Sequence, residues 1–239
     1  MKKILLILFC IANIAFADSF ESAIRAFAEG KFEDSIQNFQ SVLKTEGVSP
    51  EILFNLANAQ FRAGRIGYSI LNYERALILN PRDPNVLANL TVARESAGLP
   101  IPQSPAWTRL AKIWSWNEWS WLAFAALLML ALSSILLFTN RLSAYRKWLK
   151  TIDTIAILLL LFAVYGLSAH WIERDRAIII ASDAVARVSP FENAEISFPL
   201  SEGEQVNASR NYENFILLRN RSGKIGWIDK NQIEKIIKI

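Results

Sequence analysis

One cysteine and one histidine are all that 239 residues offer for thiol or imidazole chemistry. Cys10 falls inside an N-terminal apolar stretch, so disulfides, thiol catalysis and cysteine metal sites go together if that stretch is removed. His170 stands alone at the end of an apolar run, which excludes a serine–histidine–acid set and a histidine metal cluster. No Gly-x-x-x-x-Gly-Lys-Ser/Thr loop or Gly-x-Gly-x-x-Gly turn is present to cradle a phosphate. The acids are scattered among basic residues, as on solvated faces. Glu202 and Glu204 come nearest to the carboxylate pair of a glycosidase, and they read more simply as part of a turn. The chain therefore reads as a non-enzyme, with no cofactor and no metal.

The net charge of +4 also lacks a focus for nucleic acid. Residues 18–105 carry −2, residues 172–239 balance, and residues 106–151 carry +5. Most of that local excess, Arg141, Arg146, Lys147 and Lys150, lies between long apolar runs, where it acts on membrane topology.

What the chain has in abundance is apolar side chains, 52% of the total, and eight tryptophans. Met1–Ala17 reads as a secretory signal: Lys2 and Lys3, an apolar stretch over Ile4–Ala12, and Ala15-Phe16-Ala17 as the cleavage site. An uncleaved anchor is the other reading, and it leaves the remaining topology unchanged. Trp121–Phe138 is uncharged for 18 residues, about 27 Å as a helix, close to a bilayer core of about 30 Å. Ile155–Ala169 is a second uncharged run, which extends to Ile152–Trp171 with Asp153 and His170 near the interfaces. Transmembrane helices are thus expected over 119–138 and 152–171. The loop 139–151 holds Arg141, Arg146, Lys147 and Lys150, which marks it as cytoplasmic. Seven of the eight tryptophans lie at or near the proposed boundaries, where indole favours the headgroup layer. Both ends of the hairpin then point away from the cytoplasm. A buried helical hairpin of a soluble domain is the alternative.

From residue 18 to residue 98 the sequence repeats at a spacing of 34: Gly30 with Gly64, Ser35 with Ser69, Ile36 with Ile70, Phe39 with Tyr73, Leu43 with Leu77. Small Ala23 and Ala57 let helices approach, the glycines end the first helix of each pair, and Pro81 and Pro84 mark the next break. The span resembles tetratricopeptide repeats, best over Pro50–Asp83. The first unit is degenerate, and a partial third begins at Pro84 with Asn89-Leu90 echoing Asn55-Leu56. Such stacks leave a concave face on the first helices, here Phe20, Ile24 and Phe27, then Phe54, Asn58, Phe61 and Arg62. Phe54, Asn55, Asn58, Phe61, Arg62 and Asn89 are the candidate partner-binding residues. The phenylalanines equally suit core packing. Asn58 and Arg62, one turn apart, suit a partner's backbone or carboxylate.

Leu99–Pro105 holds three prolines and reads as a stiff spacer. Trp107, Leu110 and Trp114 follow near helical spacing, so 99–118 is taken as linker plus interfacial helix, or as plain linker. Beyond Trp171 the chain turns to short β-branched runs separated by Ser201-Glu202-Gly203 and Arg221-Ser222-Gly223, which predicts a small all-β barrel or sandwich over 172–239. Arg187-Val188-Ser189-Pro190, Leu200-Ser201-Glu202-Gly203 and Gly226-Trp227-Ile228 resemble the marks of bacterial SH3-like domains. Phe215 stands where those domains usually have another tryptophan. Trp227 is either a ligand-facing aromatic or barrel packing.

Signal, helical repeat, membrane hairpin with a basic loop, and SH3-like barrel together resemble the BatE-like proteins of the Bacteroides aerotolerance (Bat) operons. Asn89-Leu90-Thr91-Val92-Ala93-Arg94 and Gly226-Trp227-Ile228 are the sharper local marks. The resemblance implies an inner-membrane component, with both folded parts on the periplasmic side. Its expected partners are von Willebrand A-type membrane proteins and a MoxR-type ATPase, in oxygen tolerance or envelope stress. An envelope-anchoring module that binds peptidoglycan through the barrel is the competing expectation.

Overall fold

Five helices open the computed structural model, which describes residues 19–101, 106–139 and 143–237. The signal segment with Cys10, residues 102–105 of the linker and Arg141 of the basic loop lie outside the described residues. Helix α1 covers 19–28, followed by α2 (Phe32–Glu46), α3 (Pro50–Arg62), α4 (Ile66–Leu79) and α5 (Pro84–Ser96). Their ends follow from local chemistry. Pro50 and Pro84 stand in the first turns of α3 and α5, where no intrahelical N–H bond is lost. Ser49 caps α3 by accepting from Ile52 N–H, and Asp83 caps α5 by accepting from Asn85 and Val86 N–H. Gly30 and Gly64, at φ +75° and +80°, reverse the chain so that Lys31 and Arg65 N–H return to Ala26 and Gln60 carbonyls.

The positions related by 34 meet in the helical core. Ala23, Ile36, Phe39 and Val42 are buried with Ile52, Leu56 and Ala59. Ala57, Ile70, Tyr73 and Ala76 are buried with Leu53, Leu71, Val86, Leu90 and Ala93.

The second of these clusters also contains Ile178 and Ile236, from the far end of the chain. The C-terminal strands are β1 (Arg176–Ile179), β2 (Val185–Arg187), β3 (Ile196–Pro199), β4 (Gln205–Tyr212), β5 (Phe215–Arg219), β6 (Ile225–Asp229) and β7 (Ile233–Lys235). They make one antiparallel sheet in the order β3-β2-β6-β5-β4-β1-β7. The sheet is open, with β3 and β7 at its edges, where the sequence suggests a barrel or sandwich. Alternation along β1 sends Ile178 into the helical core and Ala177 and Ile179 into the sheet's own core with Val206, Leu218 and Ile228. Burial on both faces explains why Ala177–Ile180 is an unbroken apolar run.

Helix α4 is the partner that β1 requires. Gly67 lies against it so closely that a Cβ there would sit 2.6 Å from the Ile179 carbonyl oxygen. Its N–H donates to Glu202 Oε1 at 2.6 Å. Glu74, 8% exposed, accepts from Arg94 at 2.5 Å and from Arg176 at 3.0 Å. Arg75 donates to the Ile236 and Lys235 carbonyls and pairs with Glu234 at 2.8 Å. That guanidinium occupies carbonyls at the β7 edge, which would otherwise invite another strand. Helices α1–α5 and the sheet thus form one compact unit. The acids here contradict the reading of solvated faces: Glu74 and Glu202 tie helix to sheet.

The residues between form a second unit. It consists of α6 (Ala106–Ala111), α7 (Trp116–Phe138) and α8 (Arg146–Ile172), with a short 3-10 turn at Ser143–Tyr145. Helices α7 and α8 are each long and apolar enough to cross a membrane, with mean hydropathy of 2.4 and 2.1 over their best windows. Helix α7 starts three residues before the expected span 119–138, because Ser115 and Glu118 form a reciprocal capping box. The interfacial helix of the sequence reading shrinks to the six residues of α6.

The hairpin packs antiparallel: Trp119 lies on Gly166 near one end, and Ser133 donates to Asp153 near the other. Trp119, Ala126 and Ser133 on α7, and Leu149, Ala156 and Ala163 on α8, are buried at a spacing of seven. Small residues at that interval let two apolar helices approach along a left-handed seam. Arg146, Lys147 and Lys150 crowd the first turns of α8, the end where the helix dipole disfavours cations. Helix stability does not account for them there.

Candidate partner-binding site

Helix α3 buries Ile52, Leu53, Leu56, Ala57, Ala59 and Gln60. After Pro50, the residues left wholly or partly exposed are Glu51, Phe54, Asn55, Asn58, Phe61 and Arg62, one stripe at helical spacing. This stripe carries five of the residues singled out from the sequence. The sheet packs on α4, so the stripe on α3 stays open.

Asn58 is the centre of a polar cluster. Its Oδ1 accepts from Tyr73 Oη at 2.6 Å and from Asn89 Nδ2 at 2.8 Å. One side chain therefore joins α3, α4 and α5. Burial pushes the Tyr73 phenol up to about 12, with the hydrogen bond from Asn89 pulling the other way. Asn58 Nδ2 and Asn89 Oδ1 have no partner among the described residues. The two touching amides thus present one donor and one acceptor, the pair that an extended peptide backbone offers in return.

Arg62 lies over the Phe32 ring, 4.8 Å from its centroid, and 6.0 Å from that of Phe27. It makes no ion pair among the described residues, so its charge is available at the rim. Phe54 leans on Tyr73, ring centroids 6.1 Å apart, and is half-buried. Asn55 donates back to the Glu51 carbonyl within its own helix, which uses its amide locally.

Trp227 is half-buried on β6, away from this stripe in sequence and in contacts. Its ring meets Tyr212 edge-on at 6.2 Å, and Tyr212 meets Phe191 at 6.5 Å. Phe191 and Tyr212 were not singled out from the sequence. Their signal was available: both are exposed aromatics in otherwise polar segments. Phe215, paired in register with Tyr212, is buried.

No protein-family model matches this chain, and no curated protein does. No group of three or more histidine, cysteine, aspartate or glutamate side chains comes together among the described residues to hold a metal.

Proposed function

We propose that the chain is a non-catalytic scaffold of the inner (cytoplasmic) membrane that binds protein partners through the α3–α5 stripe. In this reading α1–α5 are tetratricopeptide repeats and the C-terminal sheet is an SH3-like domain. Helices α7 and α8 cross the bilayer as a pair, and the basic residues between them stay in the cytoplasm. Two crossings return the chain to its starting side, so repeat and sheet share the periplasm.

The observation that carries the reading is the open stripe from Phe54 to Arg62, backed by the half-satisfied Asn58–Asn89 pair. The positions at a spacing of 34 support the repeat identity, because their side chains fill equivalent places in the helical core. The resemblance to BatE-like proteins suggests von Willebrand A-type proteins and a MoxR-type ATPase as partners, in aerotolerance or envelope stress.

Arg62→Glu reverses a charge at the rim and removes only a cation–π contact worth about 0.5–1 kcal/mol. Recovery of partners after mild detergent extraction should fall about tenfold, with thermal unfolding nearly unchanged. Undiminished recovery overturns the proposed surface. For topology, Ser143→Cys should react with an impermeant thiol reagent only after the cells are opened.

The run of rings Phe191–Tyr212–Trp227 favours a second reading, in which the sheet binds peptidoglycan. Salt-resistant retention on purified cell wall, lost in Tyr212→Ala, would replace the first reading with this one.

A further inference from the structure

A groove of about 650 Å³ runs between α2 and α4, with α3 as its floor and the end of β7 along one side. The floor is Leu53, Leu56 and Gln60, the face of α3 turned away from the Phe54–Arg62 stripe. These three span seven positions, about 10 Å along the helix. The volume lies within the range of ligand sites, roughly 300–1,000 Å³.

The walls are mostly apolar, with Leu43 on α2, Ile78 and Leu79 on α4, and Ile236 and Ile237 after β7. Val48, between α2 and α3, also lines the groove and is 68% exposed. Leu79 is 43% exposed. Apolar side chains left open around a concave surface mark a place where something docks.

Two polar groups in the groove are unused. Gln60 is 2% exposed. Arg75 can only donate, so its contact with Asn72 Oδ1 at 3.4 Å turns Asn72 Nδ2 towards Gln60 Oε1, 2.8 Å away. Both N–H bonds of Gln60 Nε2 are thus without a partner among the described residues. The atom is not sealed from solvent. The half-buried Tyr68 hydroxyl, one turn from Asn72 on α4, has no partner there either. Donors so placed take a carbonyl as readily as water.

The third feature is charge. Arg75 and Glu234 line the groove and pair with each other at 2.8 Å. Lys44, exposed on α2, lines it too and makes no ion pair among the described residues. A short turn joins α2 to α3, so the two run antiparallel and Lys44 stands near Leu53. The cation is therefore at the end of the floor opposite Gln60.

We infer that this groove binds an extended segment of a partner protein, apolar in its side chains and acidic at one end. About three residues at roughly 3.3 Å each match the floor. Their side chains meet the aliphatic walls, a backbone carbonyl meets Gln60 Nε2, and the carboxylate meets Lys44. An acyl chain with one anionic end fills the walls but answers only one of Gln60 and Lys44. The site lies on the opposite face of α3 from the stripe, so its failure leaves the proposed function standing.

The test uses the full chain in phosphatidylcholine nanodiscs, where no detergent competes, and calorimetric titration of four probes. These are the acetylated peptide amides Leu-Leu-Glu, Leu-Leu-Lys and Gly-Gly-Glu, and decanoate. Leu-Leu-Glu should bind saturably and each of the others at least about tenfold more weakly, the scale of one lost charged bond or buried side chain. Lys44→Glu changes an exposed position and should reverse the order of the Leu-Leu-Glu and Leu-Leu-Lys peptides. Gln60→Met keeps the bulk, drops the donor, and should weaken Leu-Leu-Glu by about tenfold. Arg62→Glu, on the other face, should change none of these affinities. The proposal is overturned by an absence of saturable binding, by decanoate binding as tightly as Leu-Leu-Glu, or by an unchanged peptide order in Lys44→Glu. Wild-type affinity in Gln60→Met, or weakening by Arg62→Glu, overturns it equally.

Discussion

Gly67→Ala separates two views of this molecule by the sign of a single number. Gly67 is the second residue of α4, and alanine favours a helix over glycine by about 1 kcal/mol. If the repeat stood apart from the sheet, the substitution would stabilise. In the docked arrangement the new methyl would meet the Ile179 carbonyl at 2.6 Å, Ile180 Cα at 2.9 Å and Glu202 Cγ at 2.9 Å. Two of those three atoms are backbone, so α4 and β1 must part. Overpacking of this kind costs about 1–3 kcal/mol. Separation also weakens the bond from Gly67 N–H to the Glu202 carboxylate, worth about 1.5–3 kcal/mol when charged. Subtracting the helix gain leaves a loss of about 1.5–5 kcal/mol, or about 5–15 °C for a unit of this size. The assay is far-ultraviolet circular dichroism of the detergent-solubilised chain during heating. An unchanged or raised midpoint would refute the docking of α4 on β1.

Three further outcomes follow from other contacts. The folded protein favours the neutral Tyr73 phenol, so its contribution is complete below about pH 10, the unfolded value, and is lost as pH rises towards about 12. Two pH units amount to about 2–3 kcal/mol, and urea unfolding across that range should show this loss in the wild type and not in Tyr73→Phe. Glu74→Gln leaves two guanidiniums without their shared carboxylate and should cost about 3–5 kcal/mol, read by chemical unfolding; a cost below about 1 kcal/mol would contradict the buried cluster. In the hairpin, Ser133→Cys with Asp153→Cys should cross-link under mild oxidation, and Gly166→Val, which drives a side chain into the Trp119 ring, should reduce the yield.

Much of the helical half was legible because its signals are local. Pro50 and Pro84 announce helix starts, Gly30 and Gly64 announce ends, and the apolar positions at a spacing of 34 fall in the core as their periodicity requires. The two long apolar helices were legible from length alone. The junction was not, because it joins positions separated by more than 100 residues. One trace of it was present. The first repeat has Glu33 where the second has Gly67, a helix-interior glycine with no turn to make. Glu74 was read as a solvated charge because a lone sequence does not reveal that Arg94 and Arg176 converge on it. At the candidate site, the stripe from Phe54 to Arg62 was visible as periodicity. That Asn58 also braces the fold was hidden, since its donors Tyr73 and Asn89 lie on two other helices.

Gly67 finds Glu202 across 135 positions, and Arg75 finds Glu234 across 159, with the whole hairpin in between. A ribosome delivers these partners in order, so α4 must wait with a bare apolar flank until the last strands arrive. In a chain whose hairpin crosses a bilayer, the wait ends only when both crossings are complete. A single failed crossing would strand β1 on the wrong side, leaving Ile70 and Leu71 uncovered for proteases to find. For a hairpin that spans a bilayer, the junction could close only in a chain with both crossings made.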